Sequence, residues 1–148
     1  MIAKRRTVSS IVLICLSGAI FSASCAPKIS DRSIRPVSAA EVMTKTADKP
    51  KGVLVMDTRP EDAFAAGHIP GARNLRLRDI SGERRDPRLE SYKTIIVYAD
   101  NPGSASAIAM TKRLLSLDYT DVRLMEEGFE GWSSRGLPVE RSDTAIEK

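Results

Sequence analysis

Cysteine is almost missing from this chain: of 148 residues only Cys15 and Cys25 are cysteines, and none follows position 25. Thiol chemistry therefore has no source in the body of the chain. Histidine occurs once, at His68. That leaves no histidine or cysteine set for a metal, and no base beside Ser104 or Ser106 to activate a serine nucleophile. No metal site and no cofactor are expected. Aromatic residues are few, three Tyr, three Phe and one Trp, and no basic stripe accompanies them, so nucleic acid is not an expected partner. The formal charge of +4 misleads in this respect, because Lys4, Arg5 and Arg6 supply three of those charges. Residues 1–24 hold no acid, so the remainder carries 20 basic residues (23 − 3) against 19 acidic ones.

The basic cluster opens a short, otherwise uncharged N-terminus. The apolar run from Ile11 to Phe21 follows it, then the small residues Ser22, Ala23 and Ser24. This order is that of a secretory signal, expected over residues 1–24. Eleven residues, Ile11 to Phe21, fall short of the roughly 20 that span a bilayer, although the uncharged stretch from Thr7 to Pro27 leaves an uncleaved anchor as the alternative. Cys25 would then be the only cysteine of the exported chain. "FSASC", Phe21 to Cys25, resembles the lipobox of bacterial lipoproteins, in which the cysteine becomes the acylated first residue; Ser22 stands where an aliphatic residue is commoner. The competing reading is an ordinary leader cut near Ala26, which Pro27 disfavours. Lipidation at Cys25 implies a membrane partner through the N-terminal lipid. Ala26, in place of an aspartate, points to the outer membrane, with the domain facing the periplasm.

Residues 25–36 are polar, contain two prolines and lack periodicity, as a lipidated tether would. A folded domain is expected over 37–141, with a polar tail over 142–148. Ser38, followed by Glu41, has the form of a capping box opening a helix. "GVLVMD" and "TIIVYA" are continuous apolar runs, which suit strands buried on both faces of a parallel sheet. Pro60, Glu61 and Asp62 suit a helix start and Gly67 its stop, and "ARNLRL" is a short extended piece. A further helix from about Ser106 to Asp118 puts Ala107, Met110, Leu114 and Leu117 on one stripe, with Ile108, Thr111 and Leu115 beside it. "DVRLME" reads as another strand, and a last short helix ends at Gly136 and Pro138. The expected class is α/β, an open and mainly parallel five-stranded sheet with helices on both faces.

Three stretches then align, in order and spacing, with one family. "VLVMDTRPEDAFAAGHIPGARNL", Val53 to Leu75, resembles the rhodanese-homology signature of an aliphatic strand, Asp-x-Arg, an acidic helix start and Gly-His-Ile-Pro-Gly-Ala. "EEGFEGWSSRGLPVE", Glu126 to Glu140, resembles the family's ending, and "TIIVYA" stands where the strand before its catalytic loop belongs. The resemblance implies a rhodanese-like fold and, for the family's active members, transfer of sulfane sulfur through a cysteine that opens that loop, commonly as Cys-x-x-Gly-x-Arg-Ser. Such a cysteine works as a thiolate that carries a persulfide, while backbone N–H groups hold the anionic donor.

Here the loop reads "ADNPGSAS". Counting from the strand puts the cysteine position at Ala99, and counting back from the helix puts it at Asn101. Pro102 removes an N–H donor, and Asp100 adds negative charge where an anion is received. Ala99, Asp100, Asn101, Gly103, Ser104 and Ser106, with Arg59, form the expected vestigial or ligand-binding loop region. Ser106 is expected to cap the helix. Asp57 and Arg59 are expected to form an ion pair fixing the strand's end, with ligand contact the alternative for Arg59. His68, Gly71, Gly128 and Trp132 are expected to be structural. "RRDPR", Arg84 to Arg88, reads as a solvated loop. The expected function is an inactive relative of the thiosulfate sulfurtransferases that binds or scaffolds an envelope protein or small ligand. An enzyme of non-cysteine chemistry and a structural part of an envelope assembly are the alternatives.

Overall fold

The computed structural model describes residues 29–47 and 51–142. The expected leader, Cys25 and the end of the polar tail lie outside these residues. Five strands form one sheet: β1 (Arg35–Pro36), β2 (Val53–Asp57), β3 (Arg73–Asn74), β4 (Thr94–Tyr98) and β5 (Val122–Leu124). Their spatial order is β1-β5-β4-β2-β3, and every pairing is parallel, so the sheet is wholly parallel. The helices are α1 (Ala39–Thr46), α2 (Glu61–Ala66), α3 (Ala105–Ser116) and α4 (Gly128–Ser134), joined by three short 3-10 turns.

The two apolar runs become β2 and β4, the central pair. Leu54, Met56, Ile95 and Val97 face one way, onto Ala107, Met110 and Leu114 of α3. Val55, Ile96 and Tyr98 face the other way, onto Ala39 and Val42 of α1 and Trp132 of α4. Burial on both faces is why these strands read as unbroken apolar runs rather than alternating ones. On α3 the expected stripe is buried, and Thr111, fully enclosed, turns its hydroxyl back to the Ala107 carbonyl at 2.8 Å.

Two expectations need correction. The fold starts before Val37: β1 pairs with β5 and Ile34 packs against the core, both drawn from the end of the expected tether, and Val37 N–H bonds the Leu124 carbonyl at 3.0 Å. Pro36 disguised the strand, yet a proline is tolerated on an edge strand, where only one side must pair. The capping box is half formed. Ser38 Oγ accepts Glu41 N–H at 3.2 Å, but the Glu41 carboxylate turns instead to Arg123 at 3.1 Å and Lys45 at 3.6 Å. Among the described residues no helix is long and apolar enough to cross a membrane.

Candidate functional site at the carboxyl edge of the sheet

β2 and β4 end side by side, and the chain leaving each is held at once. Thr58 donates both its N–H and its hydroxyl to the Tyr98 carbonyl, each at 3.0 Å, and its hydroxyl lies 3.1 Å from Ser106 Oγ. Asp57, the last residue of β2, is fully buried and binds Arg59 in a fork: Nε lies 3.1 Å from both carboxylate oxygens and Nη2 2.7 Å from Oδ2. The same carboxylate accepts Arg59 N–H at 2.9 Å, and Nη2 also donates to the Gly67 carbonyl at 2.6 Å. The guanidinium lies over the Phe129 ring at 4.1 Å. Burial acts to lower the Arg59 pKa, but the bonds and charge of Asp57 overcome it and hold the group above its ordinary value. A buried arginine is thus fully charged, balanced by one carboxylate below it. This is the ion pair that the spacing Asp-x-Arg suggested.

The third nitrogen of Arg59 looks outward. Nη1 lies 3.6 Å from Asp100 Oδ1, a carboxylate that is 61% exposed. Asp100 belongs to the loop after β4, and its neighbours differ sharply in setting. Ala99 is buried in the α3-side core, whereas Asn101 is tied to Ser104, whose hydroxyl donates to Asn101 Oδ1 at 3.0 Å. Of the three residues leaving β4, Asp100 is the one whose side chain meets Arg59. Gly103 turns the loop with φ +79°. Ser104, not Ser106, occupies the cap position of α3, and its side chain makes no capping bond. Ser106 sits in the first turn, facing Thr58; the expectation of a Ser106 cap fails because the loop is closed by Asn101 and Ser104 before the helix begins.

Gly128 fixes the loop from below. With φ +63° it lies so close that an added Cβ would stand 2.5 Å from the Asp100 carbonyl oxygen and 2.7 Å from Asn101 N. The start of α4 then donates Phe129 N–H to Ala99 O at 2.7 Å and Glu130 N–H to Asp100 O at 2.8 Å. Beside this, Asn74 donates to the carbonyls of Asp57 and Arg59 at 3.1 and 2.8 Å. Tyr98 receives Ile69 N–H at 3.2 Å; burial first, then the Asp57 charge, raises its pKa far beyond the tyrosine range, so its hydroxyl stays protonated. Thr58, Tyr98 and Asn74 were missed in the sequence. Thr58 and Tyr98 could have been found from their places at strand ends, but Asn74 carries no local signal.

A model of the rhodanese-like domain family matches residues 38–135. The chain belongs to this family. The thiosulfate sulfurtransferase GlpE of Pseudomonas putida strain GB-1 is 35% identical over 99 residues, covering 67% of this chain and 86% of that one. The rhodanese-like domain of the Alr3790 protein of Anabaena sp. superposes with a TM-score of 0.57 at 21% identity, over 76% of this chain and 84% of that one. A thiosulfate sulfurtransferase of Pseudomonas aeruginosa gives a TM-score of 0.60 at 21% identity, over 75% of this chain but 20% of its own. These two structures attest the fold.

Within the rhodanese-like frame, His68 and Trp132 are buried in the packing and Gly71 is an exposed turn residue. His68 is buried, stacked on Phe64 at 3.8 Å. Gly71, at φ +74°, donates its N–H to Glu140 Oε2 at 2.8 Å. Trp132 is enclosed, its indole N–H given to the Pro138 carbonyl at 2.7 Å. In the loop of Arg84 to Arg88, Arg88 pairs with Asp86 at 2.6 Å and Arg85 reaches Glu90, beyond the loop, at 2.9 Å. Among the described residues no group of metal-ligating side chains converges.

Proposed function

We propose that this chain is an exported, lipid-anchored rhodanese-like domain that acts by binding, as a scaffolding module of the bacterial envelope, and not by sulfur transfer. The observation that carries the reading is the loop itself. No cysteine stands in it or anywhere else among the described residues, and the side chain that meets Arg59 there is the Asp100 carboxylate. A carboxylate cannot form a persulfide, and its charge opposes an incoming thiosulfate. Non-cysteine chemistry finds little support, because Asp100 is open to solvent and Ser104 is committed to Asn101 without a base beside it. The start of the chain, basic, then apolar, then small residues before Cys25, supports export and anchoring.

The test is a thiosulfate-to-cyanide sulfurtransfer assay on residues 26–148, which contain no cysteine. A99C, D100C and N101C are measured alongside. The unaltered domain is expected to be silent, and turnover above a heat-killed control would overturn the reading. Activity gained by one variant locates the lost thiol and shows that the frame still fits a donor. A globomycin-sensitive mobility shift of the full chain, abolished by C25S, is the expected signature of the anchor; an unchanged mobility would remove it.

A further inference from the structure

The residues after α4 fold back as a strap over the turn between α2 and β3. Pro138 receives the Trp132 indole N–H, and Glu140 exchanges two backbone hydrogen bonds with His68, at 2.8 and 2.9 Å. Arg141 Nε donates to the Ala66 carbonyl and Ser142 N–H to the Ala65 carbonyl, both at 3.2 Å. His68 lies beneath this strap. Its Nδ1 is 2.9 Å from the Phe64 carbonyl oxygen, which can only accept, so Nδ1 carries the hydrogen and Nε2 is the bare nitrogen of the neutral ring. Nε2 lies 3.8 Å from Glu140 Oε2, the oxygen that also accepts Gly71 N–H. A second proton on the ring has one place to go, and a carboxylate faces it.

The charges around His68 leave that contact dominant. From the strap come Glu140 and Arg141, the latter bound to the Ala66 carbonyl. From the end of β2 comes Arg59, which holds the Gly67 carbonyl next door but is already paired with Asp57. α2 presents the Phe64 ring and carbonyl. We propose that His68 and Glu140 form a pH-sensitive clasp: protonation of the imidazole turns a neutral contact into an ion pair and holds the 138–142 strap more firmly. The strap also bounds an apolar cavity of about 380 Å³, whose walls include Pro70, Gly71, Trp132 and Pro138.

The one tryptophan supplies the probe. In the full chain in detergent micelles, labelled with 15N at tryptophan, exchange protection of the Trp132 indole N–H is measured from pH 8 to pH 5.5 with the intrinsic pH effect divided out. Protection is expected to rise roughly two- to fivefold, the range of a partly exposed ion pair. E140Q keeps an oxygen for Gly71 and both backbone bonds while removing the charge, so its profile is expected to be flat. H68Q is expected to be as flat as E140Q. A wild-type profile that does not rise, or a rise that persists unchanged in E140Q, overturns the clasp.

Discussion

Replacing Gly128 by alanine tests the link between the loop and the last helix. Two costs combine. A non-glycine residue in the left-handed region costs about 1–2 kcal/mol, and Gly128 sits there at φ +63°. The new Cβ would also stand 2.5 Å from Asp100 O, far inside contact distance, so the loop must lift. Lifting it loosens Phe129 N–H to Ala99 O and Glu130 N–H to Asp100 O, each contributing about 1 kcal/mol net. The expected loss is about 3 kcal/mol, a large share of the 5–15 kcal/mol that stabilises an ordinary domain. Urea unfolding followed by Trp132 fluorescence reads it as a fall in midpoint of about 2 M at unchanged slope, for a slope near 1.5 kcal/mol/M. Gly103 is the control. It has φ +79° but no atom within 4 Å of a would-be Cβ, so G103A should lose only the conformational part. A G128A variant no less stable than G103A would refute the steric argument and detach the loop from α4.

Removing Arg59 should be costlier. R59M strands the buried Asp57 carboxylate without its counter-charge, and a loss of about 3–5 kcal/mol is expected in the same unfolding experiment; a loss below about 1 kcal/mol would mean that the pair is solvated. Asp121 gives the acid response. Burial pushes its carboxyl pKa up, but the Thr94 hydroxyl at 2.7 Å and Arg123 at 2.9 Å outweigh that and hold it below the ordinary value. The unfolded chain then binds the proton more readily, so this stability is complete above about pH 4 and disappears as pH falls through the folded value. D121N should flatten that acid limb of the stability profile, and an unchanged limb would assign the acid loss to other carboxylates.

Much of the architecture was legible because its causes are local. Unbroken apolar runs gave β2 and β4, since a strand covered on both faces has no polar side to alternate with. Pro60, Gly67 and the stripe on α3 marked helices by the same kind of rule. β1 was not legible, because two residues ending in proline carry no periodicity and become a strand only by lying against β5. Glu41 shows the limit of a local motif: its carboxylate had a cap to complete, and Arg123, 82 positions away, drew it elsewhere.

At the loop the division is similar. The sequence alone determined that no cysteine follows position 25, and it placed Asp57 and Arg59 two residues apart at a strand end, where a fork between them is within local reach. The tertiary structure decided which loop residue meets Arg59. Counting residues had offered Ala99 and Asn101 for the family's cysteine position and was silent on this contact; packing buries Ala99, ties Asn101 to Ser104 and turns Asp100 to the guanidinium. Side-chain direction at the end of a strand depends on what fills the space behind it, and here that is the backbone of α4, brought within reach by a glycine 28 positions further on (128 − 100). Chemistry is carried by residue types, which are written in order along the chain; encounter is carried by the fold, which is not.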